Sequence, residues 1–160
     1  MDAVMADVES AWATVVGQNK AVAALRSWSM DPMHAYLFVG PSGTGKRQAA
    51  RAFSATVQAQ HFIGDDAGRE RQLRLALQDK HPDVEIYEPE GPQLLVKAVT
   101  EAIIPSVFRK PADGPRRIIV IDRFHDANPG AAAAMLKTVE EPPPNAIIIL
   151  LAESVPLEHV

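Results

Sequence analysis

Cysteine is absent from the 160-residue chain, which excludes a disulfide framework, a thiolate metal site and a cysteine nucleophile. The five histidines, at positions 34, 61, 81, 125 and 159, lack ligand-like spacing, so no metal enzyme is expected. Long apolar runs are missing too. The longest, Ala146 to Ala152, falls far short of the about 20 residues a membrane-spanning helix needs. The opening MDAVMADVESAW carries three acids and no apolar stretch, unlike a secretory signal. A cytoplasmic protein with no membrane partner is expected. Neither sign of charge dominates. Sixteen Lys+Arg against twenty Asp+Glu leave a net charge of −4, which argues against a surface that is wholly a nucleic-acid or membrane adhesive. What is present, 47% hydrophobic and 22% charged residues, suits one globular domain with an ordinary core.

Apolar segments alternate between two periods. Residues 18–29 place Ala21, Ala24, Leu25 and Trp28 at helical spacing, and Asp31-Pro32 breaks the helix. Tyr36-Leu37-Phe38-Val39 is an unbroken apolar run ending in glycine, the pattern of a strand buried on both faces. Ala49, Ala50, Phe53 and Val57 share a second helical face. Residues 60–80 are polar and charge-mixed and read as a surface insertion with one short helix over 71–77. A strand is expected at Val84–Tyr87, followed by a helix over 93–108 with a stripe of Leu95, Val99, Ala102, Ile103 and Val107. Residues 110–115 form a turn, and Arg116 and Arg117 beside Lys110 read as a small solubilising basic loop. Residues 118–121 are a second buried strand ending at Asp122. Asn128 can cap a helix with Pro129 at its first position, and Pro142, Pro143 and Pro144 end it before a last strand at Ala146–Ala152. The alternation predicts a three-layer α/β/α domain with a mostly parallel sheet. Such sheets bind ligands beyond the carboxyl ends of their strands, where Gly40 and Asp122 both fall.

Gly40-Pro-Ser-Gly-Thr-Gly-Lys46 fits the phosphate-loop pattern G-x-x-x-x-G-K, with a strand before it and a helix after. Gly43 and Gly45 allow backbone conformations that turn several N–H groups inward, and the new helix presents its positive end to the same spot. Lys46 would set an ammonium between two phosphates. The position after the lysine breaks the pattern. A loop working with Mg²⁺ needs a hydroxyl there, and Arg47 is a permanent cation with no acceptor. Its side chain either swings to solvent or an acidic neighbour, the preferred reading, or points inward. Asp122 ends its strand where an acid would hold Mg²⁺, and it can equally be a structural carboxylate. The next residue is Arg123, where many nucleotide hydrolases carry the Glu that polarises water. Gly40, Gly43, Thr44, Gly45, Lys46, Arg47 and Asp122 are thus nucleotide-contacting candidates, with no catalytic residue and no metal ligand assigned. ATP or ADP would bind weakly if at all, and hydrolysis is not expected.

Together with their flanks, these residues resemble the AAA+ subunits of bacterial clamp loaders. Trp12-Ala-Thr-Val-Val16-Gly-Gln18 looks like the segment beside the adenine in that family, which adds Val16 to the nucleotide candidates. Ala35-Tyr36-Leu37-Phe38 and His81-Pro82-Asp83 are similar to the approaches to its first two strands. Met135-Leu-Lys-Thr-Val-Glu140-Glu141-Pro-Pro143 nearly matches its Leu-Leu-Lys-Thr-Leu-Glu-Glu-Pro-Pro. The resemblance implies an AAA+ nucleotide-binding-type domain over 1–160. The Gly-Lys-Arg loop and the Asp-Arg pair resemble the delta-prime branch, a stationary member of the loader ring. A delta-prime-like chain would serve DNA polymerase III as a structural and regulatory partner in ATP-driven loading of the sliding clamp. Its partners would be the gamma/tau and delta subunits, with the clamp and primer-template DNA met through the assembled complex. The alternatives are a gamma/tau-like subunit or other AAA+ ATPase that hydrolyses ATP, and an unrelated phosphotransferase.

Several departures from the family are plain. Residues 60–80 stand where it usually carries a four-cysteine zinc module, so no zinc is expected. Ala133 replaces an Asn, and the polar sensor expected at the end of the last strand falls at Glu153 or Ser154. The family's Ser-Arg-Cys motif, lid and collar would follow Val160, so an incomplete domain is expected. Glu140 and Glu141 sit at the negative end of their helix, where each acid is unfavourable by about 0.3–1 kcal/mol. They are candidates for an interface with a cation on another segment or subunit, against the reading that both reach solvent. Lys137 could meet a DNA phosphate, though solvation is the simpler reading, and His125 reads as a helix-opening residue.

Overall fold

The structure is a computed structural model that describes residues 8–13, 15 and 19–154. Two helices, α1 (Val8–Ala13) and α2 (Asn19–Ser29), precede β1 (Ala35–Val39). They are followed by α3 (Lys46–Ala59), α4 (Asp66–Leu77) and β2 (Val84–Tyr87). A helical stretch in three parts comes next: α5 (Val96–Ala98), a π-helical turn (Val99–Ile103) and α6 (Ile104–Val107). β3 (Arg117–Ile121), a 3₁₀ turn (Phe124–Asp126), α7 (Pro129–Glu140) and β4 (Ala146–Ala152) complete the described fold.

The four strands pair in parallel in the order β1-β4-β3-β2, with Ile118 beside Ile147 and Leu37 beside Leu150. Successive strand residues face opposite sides, so β3 and β4 feed two cores at once. On one side Ile118, Val120, Ile147, Ile149 and Leu151 pack under α1, α2 and α3 through Trp12, Leu25 and Phe53. On the other, Ile119, Ile121, Ile148 and Leu150 meet Val99, Ile103, Val107 and Met135. Every residue of β3 and β4 is buried, which accounts for the unbroken apolar runs 118–121 and 146–152. The three-layer α/β/α arrangement expected from the alternation is the one observed. At α7, Asn128 Oδ1 accepts from the Ala131 N–H at 2.8 Å and Pro129 opens the helix.

Five local expectations need correction. Strand β1 is an edge strand among the described residues and is not buried on both faces, since Leu37 and Val39 are each nearly half exposed. Helix α4 is longer than residues 71–77, starting at Asp66 behind an Asp65 cap whose side chain accepts from the Gly68 N–H. It is not merely a surface insertion, because Leu73 and Ala76 pack on Ala55 and Ala59 of α3. Trp28 is half exposed rather than a core residue of α2, and stacks on Tyr36 with centroids 5.9 Å apart. Leu95 and Ala102 are exposed, while Leu94, Val99, Ile103 and Val107 are buried. Leu95 stands before the helix, as the extended residue that caps α5, and for Ala102 the cause is Pro105, which has no N–H to donate and whose ring would strike the preceding turn. The chain widens there, the Ile104 N–H reaching back to the Val99 carbonyl, and the apolar stripe changes phase.

Arg117 is the fifth correction. It opens β3 with only 3% exposure and is no part of a solubilising loop. Its guanidinium donates to the Ser106 carbonyl (2.9 Å) and the Pro82 carbonyl (2.8 Å) and pairs with Glu85. Burial pulls its pKa below the usual arginine value, opposed by the charge of Asp83. A charged residue at a strand start looks like loop in sequence because its partners lie 11, 35 and 32 residues away (117 − 106, 117 − 82, 117 − 85).

His81 and Asp83 build the corner before β2. The His81 Nδ1 accepts from the Asp83 N–H at 3.0 Å, so Nε2 carries the proton toward the Gln72 side-chain oxygen. Burial pushes the His81 pKa below its ordinary value, against the raising effect of the Asp83 and Asp113 carboxylates. The unfolded chain therefore binds a proton at this residue before the folded one does. Stability contributed by neutral His81 is full above about pH 6.5 and falls as the pH drops through that value. The expected slope below it is at most about 1.4 kcal/mol per pH unit. Urea melts between pH 7 and 5 on the native chain and His81→Gln check this: the native slope should flatten in the variant.

Candidate functional site

The site forms where β1 runs into α3. The Gly40 N–H donates to the Ala152 carbonyl at 3.1 Å, which ties the start of the loop to the end of β4. Gly43 and Gly45 adopt φ of 82° and 86°, conformations that a side chain disfavours. A Cβ on Gly40 would lie 3.0 Å from Thr44 Oγ1, which itself donates to the Pro41 carbonyl at 2.8 Å. Gly45 caps α3 with no side-chain hydrogen bond, so the first-turn N–H groups of the helix remain aimed into the loop. Lys46 Nζ lies across it, donating to the Gly40 and Pro41 carbonyls at 2.6 and 2.9 Å. The sequence reading thus placed Gly40, Gly43, Thr44, Gly45 and Lys46 in one loop, and the structure brings them together.

Two clefts flank this loop and share Gly45 and Lys46. One, of about 410 Å³, is mostly apolar and is walled by Val15, Leu25, Trp28, Phe38, Thr44 and Ala49. The other, of similar volume, is charged and lined by Arg47, Glu88, Asp122, Arg123, His125 and Glu153 among others. A ligand with a flat apolar end and an anionic end suits the apolar cleft and the loop beside it. Val16, expected beside the base, lies outside the described residues.

Arg47 resolves in favour of an acidic neighbour. Its Nη1 donates to Glu88 Oε1 at 2.7 Å and to Asp122 Oδ2 at 3.2 Å. The other oxygen of Asp122 accepts from the Arg123 N–H at 2.8 Å. Both Asp122 oxygens are therefore engaged by this chain's own donors. Arg123, at φ 52°, turns away from the phosphate loop. Its guanidinium holds Asp126 at 2.9 Å and the Pro89 and Gly91 carbonyls at 3.3 and 3.0 Å, securing the segment after β2. His125 is more than a helix-opening residue. Its Nδ1 accepts from the Glu153 N–H at 3.0 Å and its Nε2 lies 2.7 Å from Glu153 Oε2, clasping the end of β4.

Magnesium, which a phosphate loop of this fold usually employs, does not fit these residues. No hydroxyl follows Lys46, the strand-end carboxylate is occupied at both oxygens, and Glu88 is taken by the same guanidinium. Among the described residues, no group of three or more His, Asp or Glu is placed to hold a metal.

Glu140 and Glu141 are not part of this constellation. They lie exposed where α7 ends before β4, at the other end of the sheet, with no cationic partner among the described residues. Lys137 is exposed in the same last turn. Sequence reasoning missed Glu88, Asp126 and the His125–Glu153 clasp. Glu88 had a readable signal: it follows β2 directly, and in a parallel sheet every strand delivers its next residue to the same rim.

A parallel α/β domain with a glycine loop between its first strand and the next helix is of the phosphate-loop class. The chain belongs to the family described as "DNA polymerase III, delta subunit", matched over residues 17–156. It is 29% identical over 121 residues to DNA polymerase III subunit delta' of Pseudomonas aeruginosa, covering 74% of this chain and 37% of that protein. It is 30% identical over 131 residues to DNA polymerase III subunit tau/gamma of Haemophilus influenzae, covering 81% of this chain and 19% of that protein. A crystal structure of a DNA polymerase III gamma-subunit-related protein from Thermotoga maritima shares the fold, with TM-score 0.62 and 18% identity over 87% of this chain and 40% of that one. The chain thus spans well under half the length of the proteins it matches. Among clamp-loader subunits it is most like delta-prime. No helix among the described residues is long and apolar enough to cross a membrane.

Proposed function

We propose that the chain acts as a delta-prime-type subunit of a DNA polymerase III clamp loader. In this reading it is a structural and regulatory partner that does not itself hydrolyse ATP. The neighbouring gamma/tau subunits supply hydrolysis, delta is a further partner, and the clamp and primer-template DNA are engaged by the assembled ring. The observation that carries the reading is Arg47 seated on Asp122 and Glu88, where a working site would need a metal and its hydroxyl ligand. Arg123 in place of a water-polarising acid supports it further. A gamma/tau-like ATPase is the second reading, favoured by matches to tau/gamma subunits, one of them the tau subunit of Bacillus subtilis at 32% identity over 138 residues.

Reconstitution separates the two. A loader assembled with Lys46→Ala in this subunit should load clamps within about twofold of the native rate, because uniform loss of one anion contact here removes no chemistry. A fall of about tenfold or more would favour the ATPase reading. Glu140→Gln with Glu141→Gln should weaken assembly if that acidic helix end meets a neighbour's cation, and unchanged assembly would discard the interface.

A further inference from the structure

We infer that the groove between the segment after β2 and the π-helical turn receives a protein segment in which an apolar side chain is flanked by lysine or arginine. The groove has a volume of about 750 Å³, nearly twice that of either cleft beside the glycine loop, and it shares only Glu88 with the charged one. That size lies within the about 300–1,000 Å³ of preformed binding sites. Leu94 and Ile103, almost fully buried, back the groove, and half-exposed Leu95 lines it together with exposed Ala98 and Ala102. Contiguous apolar surface left in water and rimmed by charged residues marks an interaction site.

Both walls are already built. On one, the chain from Glu88 to Leu94 is held at four points. Arg47 Nη1 donates to the Glu88 carboxylate, and the Arg123 guanidinium donates to the Pro89 and Gly91 carbonyls. The Leu94 N–H donates to the Asp126 carbonyl at 2.9 Å, and the Leu94 carbonyl accepts from the Asn128 N–H at 3.0 Å. The two arginines that replace a hydroxyl and an acid near the phosphate loop thus both brace this wall. The other wall is the widened turn ahead of Pro105, a π-helical geometry that recurs at functional sites. Walls fixed in advance lower the ordering cost of binding.

Charge selects the occupant. Glu88, Glu90 and Glu101 line the groove against a single ammonium, that of Lys97. Glu88 is met by Arg47, while Glu90 and Glu101 are exposed and form no ion pair among the described residues. Nucleic acid would bring phosphates against these carboxylates, and an acidic partner would bring like charge. A cationic partner is attracted instead. The apolar lining calls for an uncharged side chain between the cations, a combination that a polypeptide supplies.

Selection from a displayed library of short random peptides on the full-length subunit tests this, followed by titration of the strongest binder as a labelled synthetic peptide. The selected sequences should set an apolar residue beside Lys or Arg. Glu90→Lys with Glu101→Lys should weaken binding about tenfold or more, and the peptide with its Lys and Arg changed to Glu should bind that variant better than the native subunit. Ala102→Trp, which fills the groove without altering charge, should also cost about tenfold. All three positions are exposed, where a change of side chain costs little stability. No binder tighter than about millimolar, selected sequences without basic residues, or binding indifferent to both variants would each overturn the inference. So would primer-template DNA that binds the native subunit and is lost in Ala102→Trp.

Discussion

Asp83→Ala is expected to destabilise the fold by about 3–5 kcal/mol, the largest stability effect of any polar substitution here. The Asp83 carboxylate is 1% exposed and accepts three backbone N–H groups, from Ala112 and Gly114 at 2.6 Å and from Asp113 at 2.7 Å. Bonds to a charged acceptor contribute about 1.5–3 kcal/mol each. The total is discounted because water can reach part of the 112–114 turn once the carboxylate is gone. The same residue's carbonyl receives the Ile118 N–H at 2.8 Å, so the turn, β2 and β3 are aligned from one position. Asp83→Asn should recover only part of the loss, since an amide offers one acceptor oxygen to three donors. Urea denaturation of both variants checks this, and a loss below about 1 kcal/mol for the alanine would contradict the account.

The second large effect is catalytic. Steady-state turnover of Mg²⁺–ATP by the purified chain should be at least about 10²–10⁴-fold below that of a phosphate-loop relative with an acid after the strand-end Asp, the range a positioned general base contributes. Arg123 has no acceptor for a water proton, and its guanidinium is committed to Asp126 and to the Pro89 and Gly91 carbonyls. Arg123→Glu alone should not repair the deficit, because Arg47 still occupies Asp122 and Glu88. Release of labelled phosphate by the native and variant chains measures it. Native turnover at the rate of an ordinary ATPase of this class would overturn the non-hydrolysing reading.

The fold was legible where one physical cause dominated. Ile118 to Ile121 and Ala146 to Ala152 are apolar without interruption because both faces are covered, and their shortness and β-branched content mark them as strands. The phosphate loop was legible because its glycines answer a backbone requirement, φ near +80° to +90°, that few other residues meet. What sequence periodicity misplaced depended on a single remote or phase-shifting event. The π turn before Pro105 carries Ala102 out of the stripe it occupies on paper, and Leu95 drops out because the helix starts only after it. Arg117 is buried only because Glu85 and Ser106 arrive from other segments to receive it. The loss of a hydroxyl at 47 was readable from the loop alone. That the Arg47 guanidinium turns to an acidic neighbour was within the sequence reading, but Glu88 as that neighbour was not, since it lies 41 residues further along the chain.

The most direct test of the account is whether the rim of the sheet can hold a divalent ion. Calorimetric titration with Mn²⁺, with and without ADP, should find no protein site tighter than about millimolar in the native chain, and one should emerge in Arg47→Ser with ADP. A micromolar Mn²⁺ site on the native protein would mean that Arg47 yields Asp122 and Glu88 readily, and the guanidinium could no longer be said to hold the place of the metal.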